Sequence, residues 1–214
     1  MTPREVLEVS PIIPVVSIED PDKAVELANA LLEGGINIIE VTLRTKDAIK
    51  AIENIIQNVP QMIVGAGTVL TPSQYDQVCE LGVKFVISPG YTDKLLSHSL
   101  KNDTPLIPGV ASASEIMHCM EYGFDTFKLF PANVVGGVGA IKSFAGPFKD
   151  VMFCPTGGVN EDNIGDYLSL CNVACVGGTW LASKKLIENL EFDLIKRNCK
   201  EAIASITREK PLHL

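Results

Sequence analysis

The chain has 214 residues, of which 46% are hydrophobic, 21% charged and 6% aromatic, and its 18 Lys and Arg against 26 Asp and Glu leave a net charge of −8. That length suffices for a core hiding about 70% of the extended chain's surface, and the composition excludes a disordered chain. The acidic balance, with no basic stripe, excludes general binding to nucleic acid or anionic membranes, and no apolar run approaches the ~18 residues of a membrane span.

Glu5 and Glu8 interrupt the N-terminal stretch MTPREVLEVSPIIPVV, so no export signal is expected and the expected compartment is the cytoplasm. Short β-branched runs then recur along the chain: IIPVV (12–16), INIIEVTL (36–43), MIVGAG (62–67), KFVIS (84–88), PLIPG (105–109), DTFKLF (125–130), VMFCP (151–155) and NVACVGG (172–178). Their starts lie about 20 to 26 residues apart, the length of one strand-plus-helix unit. Helical punctuation fills the gaps. Asp20-Pro21 opens a segment with Ala24, Leu27, Ala28 and Leu31 on one face and Gly34-Gly35 as its stop. Thr71-Pro72 opens a second, Ser112 and Ser114 precede a third, Asn160 precedes a fourth, and residues 191–208 read as a final helix. Eight such units without a linker predict an α/β fold, a single-domain (β/α)8 TIM barrel over residues 1–214 with a short lead-in at 1–10. No GxGxxG follows the first strand, which argues against a doubly wound sheet.

The six cysteines (Cys79, Cys119, Cys154, Cys171, Cys175, Cys199) are scattered and are expected to be reduced, buried, small hydrophobes. Cys171 and Cys175 have no second Cys or His pair beside them, and His98, His118 and His213 are isolated from one another. No metal and no cofactor are therefore expected.

In a barrel the chemistry belongs at the C-terminal ends of the strands. In the second strand, period-two geometry puts Ile39, Val41 and Leu43 on one face and Glu40, Thr42 and Arg44 on the other, toward the interior. An ion pair of Glu40 with Arg44 sealing one end is the structural alternative, although a buried pair is seldom a net gain in stability. In the sixth strand Lys128 shares its face with Thr126 and Phe130, with Phe127 and Leu129 opposite. A lysine snorkelling to solvent is the alternative there. Thr68 ends the third strand between loop residues. Gly157-Gly158 after Thr156, and Gly177-Gly178 before Thr179, are expected to let backbone N–H groups approach a phosphate.

An interior lysine beside a carboxylate suits Schiff-base chemistry on a ketone. An ordinary amine is neutral only about once in a few thousand molecules at pH 7, so an apolar cage (Phe127, Leu129, Phe130) and a cation such as Arg44 are expected to help and Glu40 to oppose. Arg44 can bind a substrate carboxylate bidentately. Together with a phosphate station, these groups describe a phosphorylated 2-keto acid.

The motifs EVTLRT (40–45), VGAGTVL (64–70), ISPG (87–90), FKLFPA (127–132), PTGGV (155–159) and VGGTW (176–180) resemble those of 2-keto-3-deoxy-6-phosphogluconate (KDPG) aldolases, metal-independent class I enzymes. The resemblance implies Lys128 as the Schiff-base residue, Glu40 as general acid/base, Arg44 as carboxylate binder, Thr68 at the pyruvate end and Thr156 near the hydroxyl-bearing carbons. It also implies Gly157, Gly158, Gly177, Gly178 and Thr179 at the phosphate, pyruvate and glyceraldehyde 3-phosphate as products, and a homotrimer. Leu129, where phenylalanine is common, and Asn133, where glutamate is frequent, depart from the pattern. Cleavage of 4-hydroxy-2-ketoglutarate at the same site, a phosphosugar isomerase or epimerase with Glu40 as base, and a phosphate-ligand sensor are the alternatives.

Overall fold

The computed structural model describes residues 1–209. Nine strands are present among them: β1 (Ile12–Val16), β2 (Ile38–Thr42), β3 (Ile63–Gly67), β4 (Phe85–Ile87), β5 (Leu106–Ile107), β6 (Gly109–Val110), β7 (Thr126–Leu129), β8 (Met152–Pro155) and β9 (Val176–Gly178). The ten helices are α1 (Pro3–Glu8), α2 (Ala24–Glu33), α3 (Ala48–Asn58), α4 (Pro72–Glu80), α5 (Asp93–Ser99), α6 (Ala113–Glu121), α7 (Gly137–Phe144), α8 (Ile164–Leu168), α9 (Lys184–Glu188) and α10 (Phe192–Glu209).

All strand pairs are parallel, in the orders β5-β4-β3-β2-β1-β9 and β6-β7-β8. Two junctions turn these sheets into a ring. β5 runs into β6 across Pro108, and the parallel bridge Thr156↔Gly177 joins the end of β8 to β9. The fold is thus the expected barrel, with one correction: the fifth predicted strand is two short pieces. Pro108 has no N–H to give the ladder, although its carbonyl still accepts from Lys128 N at 3.0 Å. Gly109 then passes so close to the Pro89 backbone that a Cβ would overlap it.

The predicted caps are largely in place. Thr71 accepts from Gln74 N and opens α4, and Ser112 forms a capping box with Glu115 to open α6. The segment after Asp20 begins as a 3₁₀ turn over Pro21–Lys23 before becoming α2, whose Ala24, Leu27, Ala28 and Leu31 are all buried as their spacing predicts. Asn160 instead organises the turn ahead of α8, which starts only after Asn163. The lead-in is not extended. Thr2 and Glu5 form a capping box that starts α1, and Arg4 donates to Asp150 O at 2.7 Å and pairs with Asp125. Those two aspartates precede β8 and β7, so α1 lies against the N-terminal end of the barrel and leaves the other end for chemistry.

Phe127 and Phe153 face outward, where Phe153 meets Phe144 of α7, and both rings are fully buried. Each such ring contributes about 1.5–3 kcal/mol of burial. His98 and His118 each bind a neighbouring helix, through Asp76 at 2.6 Å and Asp93 at 2.7 Å, linking α4, α5 and α6 in series. His213 lies outside the described residues. All six cysteines are free and four are buried, but Cys79 is half-buried and Cys171 is exposed, against expectation. Burial pushes the Cys119 and Cys199 thiols up to about 12, so both act as small apolar groups. Among the described residues no helix is long and apolar enough to cross a membrane.

Candidate active site

Lys128 sits mid-strand in β7, paired in register with Gly109 on one side and Cys154 on the other. Neither neighbour is bulky, so the long side chain can extend across the interior. Its Nζ lies 3.1 Å and 3.3 Å from the two Glu40 carboxylate oxygens. The two side chains are 3% and 1% exposed. The lysine therefore does not snorkel, and Glu40 pairs with Lys128 rather than with Arg44. The Phe130 ring lies 5.4 Å from Nζ, a cation–π distance. The expected apolar cage needs correcting: Phe130 covers the amine, whereas Phe127 packs outward with Phe153 and Leu129 shares its parity.

Glu40 is placed by β2, in register with Val15 on β1 and Gly65 on β3. One layer further toward the mouth stands Gly67, and a Cβ there would overlap both the Glu40 carboxylate and its Cγ. Sequence reading treated Gly67 only as part of a motif; its requirement is steric and could not be seen before the barrel closed. Gly67→Ala is expected to push the carboxylate off the amine and lower kcat about 100-fold, the usual cost of a ~1 Å displacement of a reacting group. Steady-state kinetics alongside circular dichroism checks this, since the fold should persist. Cys154 and Cys175 are buried near the pair. Burial first, then a hydrogen bond with Cys154, and then the Glu40 charge push the Cys175 thiol up, so it stays protonated.

Arg44 lies in the turn after β2 and is exposed. Two threonines fix this turn to the end of β1: Thr42 donates to Val16 O at 2.9 Å, and Thr45 to Ile18 O at 2.6 Å. Arg44 Nε donates to Thr68 Oγ1 at 3.2 Å. Thr68 has φ +58°, a left-handed conformation that costs a β-branched residue about 1–3 kcal/mol. Such strain is retained where surrounding structure demands a particular geometry, and here it holds the hydroxyl beneath the guanidinium.

The glycine pairs differ from each other. Gly157 and Gly158 have φ +98° and +80°, so the turn after β8 needs glycine for its backbone. The Gly157 carbonyl accepts from Asn133 N and the Gly158 carbonyl from Asn163 Nδ2. Gly177 and Gly178 are not loop residues. They lie within β9, where a Cβ would overlap the Thr156 hydroxyl or the Trp180 ring. Thr156 is buried at the end of β8 and Thr179 is exposed beyond β9. Next to Phe130 a cavity of about 340 Å³ opens between Pro89, Gly90, Gly109 and Val110.

The family model described as KDPG and KHG aldolase matches residues 4–198. The KHG/KDPG aldolase of Escherichia coli K12 is 46% identical over 200 residues, covering 94% of both chains. The 2-dehydro-3-deoxy-phosphogluconate aldolase of Dickeya dadantii is 45% identical over 204 residues, covering 95% of this chain and 96% of that protein. The KDPG aldolase of Legionella pneumophila, solved with pyruvate captured at low pH as a covalent carbinolamine intermediate, superposes with a TM-score of 0.92 at 47% identity, covering 94% of this chain and 98% of that one. A buried lysine–glutamate pair inside a parallel barrel and a family match over nearly the whole chain agree, and the chain belongs to the KDPG and KHG aldolase family.

Proposed function

We infer that the protein is a class I aldolase that cleaves KDPG to pyruvate and glyceraldehyde 3-phosphate, with Lys128 as nucleophile. The observation that carries this reading is the contact of Lys128 Nζ with both Glu40 oxygens inside the barrel. The lone pair on Nζ adds to the C2 ketone, and Glu40 moves protons while water leaves to give an iminium. Glu40, through a water, then takes the C4 hydroxyl proton. The C3–C4 electrons pass into the iminium, releasing glyceraldehyde 3-phosphate and leaving an enamine. Protonation at C3 and hydrolysis free pyruvate and restore the amine.

Arg44 would clamp the substrate carboxylate beside Thr68, with Thr156 near the hydroxyl-bearing carbons. The glycine turn after β8 (Gly157, Gly158) and the end of β9 (Gly177, Gly178), with Thr179 alongside, suit the phosphate, and glycine at 177 and 178 also leaves room for Thr156 and Trp180. The family's second substrate, 4-hydroxy-2-ketoglutarate, fits the same amine and carboxylate. A cytoplasmic homotrimer of single-domain subunits without metal or cofactor belongs to the same reading, supported by the family resemblance.

Borohydride reduction in the presence of pyruvate should add one reduced adduct to the peptide containing Lys128, read by peptide mass analysis. An unmodified Lys128 with turnover intact would instead support an isomerase or epimerase that uses Glu40 alone.

A further inference from the structure

We propose that Ser17, at the mouth of the barrel, is a specificity-determining residue that accepts a hydrogen bond from the C5 hydroxyl of the substrate, the one beside the phosphate-bearing carbon. The inference rests on the aldolase reading of the site and extends it to a residue outside the family motifs.

Ser17 directly follows β1. In the β1–β2 register Val15 stands opposite Glu40 and Val16 opposite Val41, and one residue further on the Ser17 hydroxyl meets that of Thr42. Ser17 therefore shares the interior parity of Glu40 and lies one layer nearer the mouth, where it is half-buried. β1 is flanked by β2, which carries Glu40 and leads to Arg44, and by β9, which leads to Thr179. Lys128 Nζ reaches across the barrel to Glu40 on β2, and β1 lies between β2 and β9, so a substrate running from that nitrogen to a phosphate at the end of β9 lies along this wall.

The hydrogen bonding fixes what Ser17 can do there. Its Oγ lies 2.7 Å from Thr42 Oγ1, which in turn donates to Val16 O at 2.9 Å. A carbonyl oxygen can only accept, so the single hydroxyl proton of Thr42 is committed to Val16. The short contact between the two hydroxyls then requires the Ser17 proton. Both protons are directed into the wall, and Ser17 Oγ presents only lone pairs to an incoming group. Thr45, donating to Ile18 O, pins the same strand end and holds this arrangement. An acceptor of this kind repels a phosphate or carboxylate and takes a hydroxyl. The C4 hydroxyl gives its proton to Glu40, so the C5 hydroxyl is the donor that remains. 4-Hydroxy-2-ketoglutarate carries a carboxylate at that carbon and gains nothing from Ser17.

The test compares kcat/KM for KDPG, its 5-deoxy analogue and 4-hydroxy-2-ketoglutarate in the intact protein and in Ser17→Ala. Ser17→Ala should lower kcat/KM for KDPG about tenfold, mostly through KM, and change the other two less than twofold, because a site built to bond a hydroxyl discriminates only while both partners are present. An equal fall on all three substrates, or no fall on KDPG, overturns the proposal. Should Ser17→Ala fail to fold, the unmodified protein decides: equal kcat/KM for KDPG and the 5-deoxy analogue also overturns it. The borohydride-trapped pyruvate adduct should form on Lys128 in both proteins. Its absence from the unmodified protein would strike the Lys128 reading itself, whereas its presence with an unchanged substrate ratio strikes Ser17 alone.

Discussion

Lys128→Met should reduce cleavage by about 10⁶ in kcat, the scale seen when a covalent nucleophile is removed from an enzyme whose binding contacts remain. Methionine fills nearly the same space but offers no amine, so no reduced pyruvate adduct should form. A stability effect comes with it. The Glu40 carboxylate, 1% exposed, loses its cationic partner, and breaking a buried pair typically costs about 3–5 kcal/mol. At roughly 2–4 °C per kcal/mol for a chain of this size, the thermal midpoint should fall by about 6–20 °C. Lys128→Met combined with Glu40→Leu should recover most of that loss, because two apolar side chains in place of a buried ion pair are usually neutral or better. Calorimetry of the single and double variants, both inactive, separates the two effects. A double variant no more stable than the single one would show that the pair contributes to the fold as well as to the chemistry.

Glu40→Gln should lower kcat by about 10²–10⁴, the range for removing a positioned general acid/base. The amide keeps the shape of the carboxylate and can still accept from Lys128 Nζ, so the barrel should be undisturbed. Dehydration of the carbinolamine, deprotonation of the C4 hydroxyl and protonation of the enamine all lose their proton carrier. The pyruvate adduct should still reach one equivalent at Lys128, but slowly. Time-resolved trapping measures this directly: a kcat within fivefold of the unmodified protein would move the acid/base role to another group. Gly67→Ala leaves the carboxylate chemically intact and only displaces it, so its expected 100-fold loss isolates position from proton affinity.

Much of the site was legible because strand parity is local. Alternation in IIEVTLR is enough to put Glu40, Thr42 and Arg44 on one face, and the apolar neighbours of Lys128 mark it as out of place unless it works inside the barrel. Where local reasoning went astray, the missing information was spatial. An ion pair of Glu40 with Arg44, four residues away, was the structural alternative that sequence alone left standing; the structure sets it aside, because Glu40 meets Lys128, 88 residues distant across the barrel. Phe127 and Leu129 were counted as caging the amine although their parity turns them to the helices. The glycines of VGG were read only for a backbone approach to phosphate, whereas the structure adds a steric requirement, since a Cβ at either would overlap Thr156 or Trp180.

Composition, the spacing of strand-sized runs and the capping residues determined a parallel barrel and nominated an amine, a carboxylate and a guanidinium, because periodicity and capping depend on interactions a few residues apart. Closure of the ring decided the rest: which carboxylate meets the amine, why Gly67 cannot carry a side chain, and how the Ser17 and Thr42 hydroxyls meet at the end of β1. These depend on distances between strands remote in sequence, and only the register and closure of the sheet set those distances.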